Sequence, residues 1–252
     1  MKRRDFLLAA GAAAALALVS VQPASGRDFS SNRISVTVEG RGPDVILIPG
    51  LTASRDMWRG TVKAVPGYRY HLVQVAGFAG EPAAGNASGG VVEPAAKEIA
   101  RYIEVKGLDD PALIGHSMGG TLAMMIAARH TGSVGSVMVV DMLPQPAGLF
   151  GGSAEDLGPL ASSLRRTLSG PSGRRLLGSL MTAFSPPDSA NSRSDPDVVA
   201  RAMDELAGMD LTPQLARIRA PLTIVYAAPD ERAAGAIDGE FASAFAAAAG
   251  AR

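Results

Sequence analysis

Ala112-Leu-Ile-Gly-His-Ser-Met-Gly-Gly-Thr-Leu-Ala-Met-Met-Ile-Ala-Ala-Arg-His130 is the stretch that decides the fold. Its first three residues are a short apolar run and read as a buried strand, while Met118 to about Arg129 reads as a helix. Between them stands Gly115-His116-Ser117-Met118-Gly119, a match to G-x-S-x-G. In that pattern the serine sits on a sharp strand-to-helix turn that holds its hydroxyl clear of the backbone. Glycine is wanted on both sides because a Cβ there would meet the turn or the neighbouring strand. In a chain with 29 glycines the pentapeptide alone is no more than a small-residue turn. The strand before it, the helix after it and the apolar Met118 make Ser117 the candidate nucleophile.

Strands and helices alternate on either side. Ile34 to Val38 alternates apolar and polar residues, as a half-exposed strand does, and Glu39-Gly-Arg-Gly-Pro43 makes a tight turn. That glycine pair precedes a strand rather than opening a helix, which excludes a dinucleotide fingerprint. Val45 to Ile48 is a continuous apolar run, expected of an interior parallel strand. Pro49-Gly-Leu-Thr52 breaks it, and Ser54 can cap a helix through Trp58 to Val65. His71 to Val75 is the next strand, Gly77 to Gly90 a Gly/Ala-rich loop, and Val91 to Val105 a helix with Val92, Ala96, Ile99 and Ile103 on one face.

Downstream, Ser136 to Val140 is a strand ending at Asp141, and Pro221 to Tyr226 another. Ala227-Ala-Pro-Asp230 turns off its end, a short stretch follows from Arg232 to Ala236, and an alanine-rich helix runs from Gly239 to Ala249. This rhythm predicts an α/β fold, a mostly parallel sheet with helices on both faces. From Leu143 to about Ala220 the rhythm changes. Leu157, Leu160, Ala161 and Leu164 fall at helical spacing, as do Leu177, Leu180, Met181 and Phe184, and then Val199, Met203 and Leu206. Helices with no strand between them predict a helical cap, about residues 144–218, inserted in a domain spanning 27–252.

The 24 basic and 24 acidic side chains cancel, so nothing points to nucleic acid or an anionic surface as partner. There is no cysteine, which removes disulfides, thiolate metal sites and a cysteine nucleophile together. The three histidines, His71, His116 and His130, have no metal-ligand spacing, and no cofactor is implied. Met1-Lys-Arg-Arg-Asp-Phe-Leu-Leu8 opens on charge, an apolar run continues to Val21, and Ala24-Ser-Gly26 follows. This is the layout of a secretory signal over residues 1–26, with an apolar run shorter than a comfortable membrane span. Arg3-Arg4-x-Phe6-Leu7 resembles a twin-arginine signal, though Lys2 and Leu8 depart from the usual residues. The expectation is a periplasmic or secreted protein with no membrane anchor once the signal is removed. An uncleaved N-terminal anchor is the alternative.

Taken together, Ile48-Pro49-Gly50-Leu51, the elbow at Gly115 to Gly119, and Leu215 to Pro221 leading to Leu222–Tyr226 and Asp230 resemble the α/β-hydrolase fold over essentially all of residues 27–252. That resemblance implies that Ser117 attacks an acyl carbon of a small-molecule substrate, with the backbone N–H groups of Leu51 and Met118 stabilising the oxyanion. The loop after Ile48 lacks the His-Gly pair common in the family, but only backbone donors are needed there. Family order, Ser then Asp then His, implies Asp230 as the triad carboxylate, with Asp141 the alternative used by some members.

The third member is the departure. Family order puts the histidine beyond Asp230, and no histidine follows position 130. His116 adjoins the nucleophile, His130 closes the helix after the elbow and His71 begins a strand, so none takes the role directly. The preferred expectation is a C-terminally shortened hydrolase of small esters, weakly active or inactive in this form. A non-catalytic periplasmic binding protein is the alternative, and an aminopeptidase-type hydrolase a further one. Glu155 and Asp156 are the acidic cap residues that would bear on a substrate amine.

Overall fold

In the computed structural model the described residues are 28–146, 190–228 and 231–248. They form one six-stranded sheet. The strands are β1 (Ile34–Gly40), β2 (Asp44–Ile48), β3 (Arg69–Val75), β4 (Ala112–His116), β5 (Ser136–Val140) and β6 (Leu222–Val225). Their spatial order is β1-β3-β2-β4-β5-β6. Only the edge strand β1 runs antiparallel to its neighbour, and every other pair is parallel. Helices α1 (Arg59–Ala64), α2 (Val92–Lys106) and α3 (Met118–Arg129) alternate with these strands. Later come α4 (Pro196–Ala207), a short α5 (Thr212–Leu215) and α6 (Glu231–Ala244).

The continuous apolar run of β2 is explained by burial on both faces. Ile46 and Ile48 point into a core shared with α2 and α3, while Val45 and Leu47 point into a second cluster with Trp58, Tyr70 and Leu72. This is the two-residue alternation of a strand applied to a sheet covered on each side. Helix α3 is buried along its length from Met118 to Ala128 because sheet and α2 both pack on it. Its apolar residues therefore need not fall on one face. Helix α4 begins under an Asp195 cap whose carboxylate accepts the Asp197 and Val198 N–H groups. Its Val198, Val199, Ala202 and Leu206 sit in the same core as the sheet.

Two local expectations change. Ser54 does cap, accepting the Asp56 N–H, but it caps a 3-10 turn, Arg55–Trp58, that leads into α1. The stretch from Arg232 and the alanine-rich helix from Gly239 form a single helix, α6, which ends at Ala244. Gly235 and Gly239 lie in open space on it, so their lack of a side chain costs propensity without breaking the helix. The helix is held by Phe241 and Phe245 in the core, with Phe241 stacked on Tyr226 at 4.3 Å. The expected signal at 1–26 and cap residues 147–189 lie outside the described residues. Among the described residues no helix is long and apolar enough to cross a membrane.

Candidate active site

Ser117 is placed by the collision between a strand and a helix that share no linker. It follows β4 directly and precedes α3 directly, at φ 51° and ψ −124°. For a residue with a Cβ this backbone is strained and persists only when its surroundings fix it. They do. The Ser117 N–H donates to the Val140 carbonyl at 2.8 Å, and its carbonyl accepts the Gly120 N–H at 2.7 Å. A Cβ on Gly115 would run into the Gly119 backbone, and one on Gly119 into the carbonyls of Ile48 and Pro49. The two glycines are thus required by the close approach of helix to strand. The Ser117 side chain caps no helix N–H, which leaves its hydroxyl uncommitted to the turn.

The loop after β2 faces this serine. A Cβ on Gly50 would stand 3.2 Å from Ser117 Cβ. Gly50 to Ala53 is a turn closed by the Ala53 N–H on the Gly50 carbonyl at 3.2 Å, with Thr52 at φ 64°. Neither the Leu51 nor the Met118 backbone N–H donates to another of the described residues. The two backbone donors expected from sequence belong to the loop whose Gly50 approaches Ser117 and to the first residue of α3.

Asp141 ends β5 at the level of Ser117, since His116 and Val140 are paired in the ladder. It too has a positive φ, and its Oδ1 accepts the Ala227 N–H at 2.8 Å, joining the ends of β5 and β6. Asp230 lies outside the described residues.

The histidines separate clearly. His116 has a buried Nδ1 with no hydrogen-bond partner among the described residues, and burial lowers its pKa against the opposing pull of the Asp141 charge. His130 is the exposed residue after α3. His71 pairs with Ile46, four residues down the strands from the level of Ser117, roughly 13 Å at strand rise. There its Nε2 meets Asp44 Oδ1 at 2.7 Å and its Nδ1 meets the Tyr102 hydroxyl at 2.6 Å. Burial is the largest influence on His71 and lowers its pKa despite Asp44, so the pair is not a charged ion pair. A neutral ring donating Nε2–H to Asp44 and accepting the Tyr102 O–H satisfies both contacts. Burial also pushes the Tyr102 phenol up to about 12, which keeps that proton on it. Sequence reading missed this cluster, because residues 44, 71 and 102 meet only through strand register and helix packing.

The chain matches the alpha/beta hydrolase fold family over residues 43–202. It belongs to that family. A pimeloyl-[acyl-carrier protein] methyl ester esterase of Aeromonas hydrophila is 33% identical to it over 114 residues, 44% of this chain and 43% of that protein. The chain thus matches less than half the length of that relative. The enzyme of the same description from Vibrio atlanticus is 24% identical over 209 residues, 75% of this chain and 77% of that protein. The enol-lactonase from Burkholderia xenovorans LB400 superposes with a TM-score of 0.64 at 21% identity, covering 87% of this chain and 86% of that one. This α/β hydrolase therefore has esterase-like relatives.

Proposed function

We propose that this α/β hydrolase cleaves small carboxylic esters through Ser117. The observation that carries the reading is the strained φ of 51° at Ser117, which holds an uncommitted hydroxyl at the carboxyl rim of the sheet. Attack by its Oγ on an acyl carbon forms the Ser–acyl bond and expels the alcohol, and water then releases the acid. The Leu51 and Met118 N–H groups are the oxyanion donors in this reading, and the esterase relatives support the ester as substrate class. Asp230 is the preferred carboxylate, and Asp141 its alternative. The Arg3-Arg4 opening and the apolar run after it support an exported protein, periplasmic or secreted.

A binding role without turnover is the second reading, and one observation favours it. Among the described residues no histidine is hydrogen-bonded to Ser117, and His71 is occupied by Asp44 and Tyr102. Loss of the base removes most of the rate and leaves substrate binding and the oxyanion donors in place. Hydrolysis of short-chain p-nitrophenyl esters by the 252-residue chain and by Ser117→Ala separates the two. Esterase action requires turnover that Ser117→Ala abolishes, whereas equal rates in both proteins support binding alone.

A further inference from the structure

Residues 190–195 carry the chain into α4, and at their end Ser194 is buried between two loops of the carboxyl rim. Its Oγ accepts the Ala79 N–H at 2.8 Å, from the loop after β3. Its single proton faces two carbonyls, Asn191 at 2.9 Å and Thr52 at 3.2 Å. The Asn191 carbonyl already accepts the Ser194 backbone N–H at 3.2 Å. The Thr52 carbonyl has no other hydrogen bond among the described residues, so donation to Thr52 leaves every one of these groups paired.

Thr52 is the residue of the Gly50–Ala53 turn that most needs such a hold. A β-branched residue at φ 64° is strained by about 1–3 kcal/mol and stays there only under external constraint. Gln74 secures the far end of the same turn. Its Oε1 accepts the Arg55 N–H at 2.9 Å, and its Nε2 donates to the Ala53 carbonyl at 3.3 Å. Among the described residues nothing but Ser194 reaches the Thr52 carbonyl. Ser194 is itself fixed, because the adjoining Asp195 N–H donates to the Gly77 carbonyl at 2.7 Å and Val198 packs against Gly77.

We infer that Ser194 is a positioning residue, whose hydroxyl ties the segment entering α4 to the Gly50–Ala53 turn and so holds the Leu51 N–H in place beside Ser117. The inference rests on the assignment of Ser117 and Leu51 made above, and it couples the segment that follows residue 189 to the oxyanion side of the site.

The test compares Ser194→Ala with Ser194→Thr, which keeps the hydroxyl. Two quantities are read in each full chain. One is amide exchange at Ala53, whose N–H closes the turn, against exchange in β5. The other is the maximal rate of Ser117 phosphonylation by a fluorophosphonate, separated from the half-saturating probe concentration. Ser194→Ala is expected to speed Ala53 exchange with β5 unchanged, and to lower the maximal rate about tenfold at constant half-saturation, as misplacement of a donor does. Ser194→Thr restores both. Unchanged Ala53 exchange overturns the inference, as does equal acceleration in β5 or faster exchange with an unaltered labelling rate. If the unmodified chain is not labelled at Ser117, the esterase reading fails on its own, and Ala53 exchange alone decides whether Ser194 holds the turn.

Discussion

Ser117 and Asp141 stand side by side at the carboxyl ends of β4 and β5, and both leave their strands at a φ of 51°. The two are tied through the ladder, since the Ser117 N–H donates to the carbonyl of Val140, the residue before Asp141. Two neighbouring strands thus end at the same positive φ at one rim. In open α/β sheets that rim is where ligands bind.

Asp141 has a structural duty whatever its chemical one. Replacing it with Ala removes the acceptor of the Ala227 N–H and places alanine at positive φ, which together should cost about 1–3 kcal/mol. Asp141→Asn keeps an acceptor and tolerates that φ, and is expected to lose under about 1 kcal/mol. Urea denaturation of both variants reads the difference; equal losses would show that the Ala227 bond contributes nothing.

Gly119 and Gly60 make an opposed pair. Gly119→Ala drives a Cβ into the Ile48 and Pro49 carbonyls, and should destabilise by about 3 kcal/mol or more, since backbone cannot yield as a side chain does. Gly60 lies in α1 with open space around it, so Gly60→Ala should stabilise by about 0.5–1 kcal/mol. Thermal melts of the two variants suffice to check both signs.

These contrasts show which parts of the molecule sequence could carry. The run Val45–Ile48 and the elbow at Gly115–Gly119 announce themselves, because burial on two faces and close backbone approach each restrict residue type directly. Ser194 gives no such sign. A serine is unremarkable in sequence, and its partners Thr52 and Ala79 are 142 and 115 residues away. Asn86 is similar: fully buried in a Gly/Ala-rich loop, it donates to the Arg33 and Ala76 carbonyls, a role fixed by packing alone. Arg232–Ala236 and the helix from Gly239 read as two pieces in sequence, yet they form one helix anchored in the core by Phe241 and Phe245.

The Asp44–His71–Tyr102 cluster is expected to make the fold sensitive to acid. His71 has a folded pKa below its ordinary 6.5 because burial disfavours the charged ring. As pH falls through about 6.5 the unfolded chain takes up a proton that the folded chain resists. The contribution is therefore complete above that pH and is lost on acidification toward the folded value. At Asp44 burial raises the pKa, but hydrogen bonds from Arg69 and His71 outweigh it, so the folded value lies below 3.8. Its contribution holds above that value and is lost as pH falls through the folded pKa. Melting temperature should drop between pH 7 and 5, and His71→Gln should flatten that slope. Tyr102→Phe should keep the slope while costing about 1–2 kcal/mol, since it leaves His71 Nδ1 without a partner. A slope unchanged in His71→Gln would assign the acid sensitivity to other groups.

Among the described residues no histidine is hydrogen-bonded to Ser117, so the proposed nucleophile should respond to a base supplied from solution. Imidazole at millimolar concentration is expected to raise hydrolysis of an activated short-chain ester by this chain, beyond its effect on the ester alone, and not in Ser117→Ala. An imidazole effect of the same size in both proteins would mean that Ser117 takes no part.

The most direct measurement is intact mass, followed by peptide mapping, after exposure of the 252-residue chain to a fluorophosphonate. One adduct per chain, located on Ser117 and absent from Ser117→Ala, is the predicted result. An adduct that persists in Ser117→Ala, or a chain left unmodified under conditions that label an active serine hydrolase, contradicts the claim that the elbow holds a reactive hydroxyl.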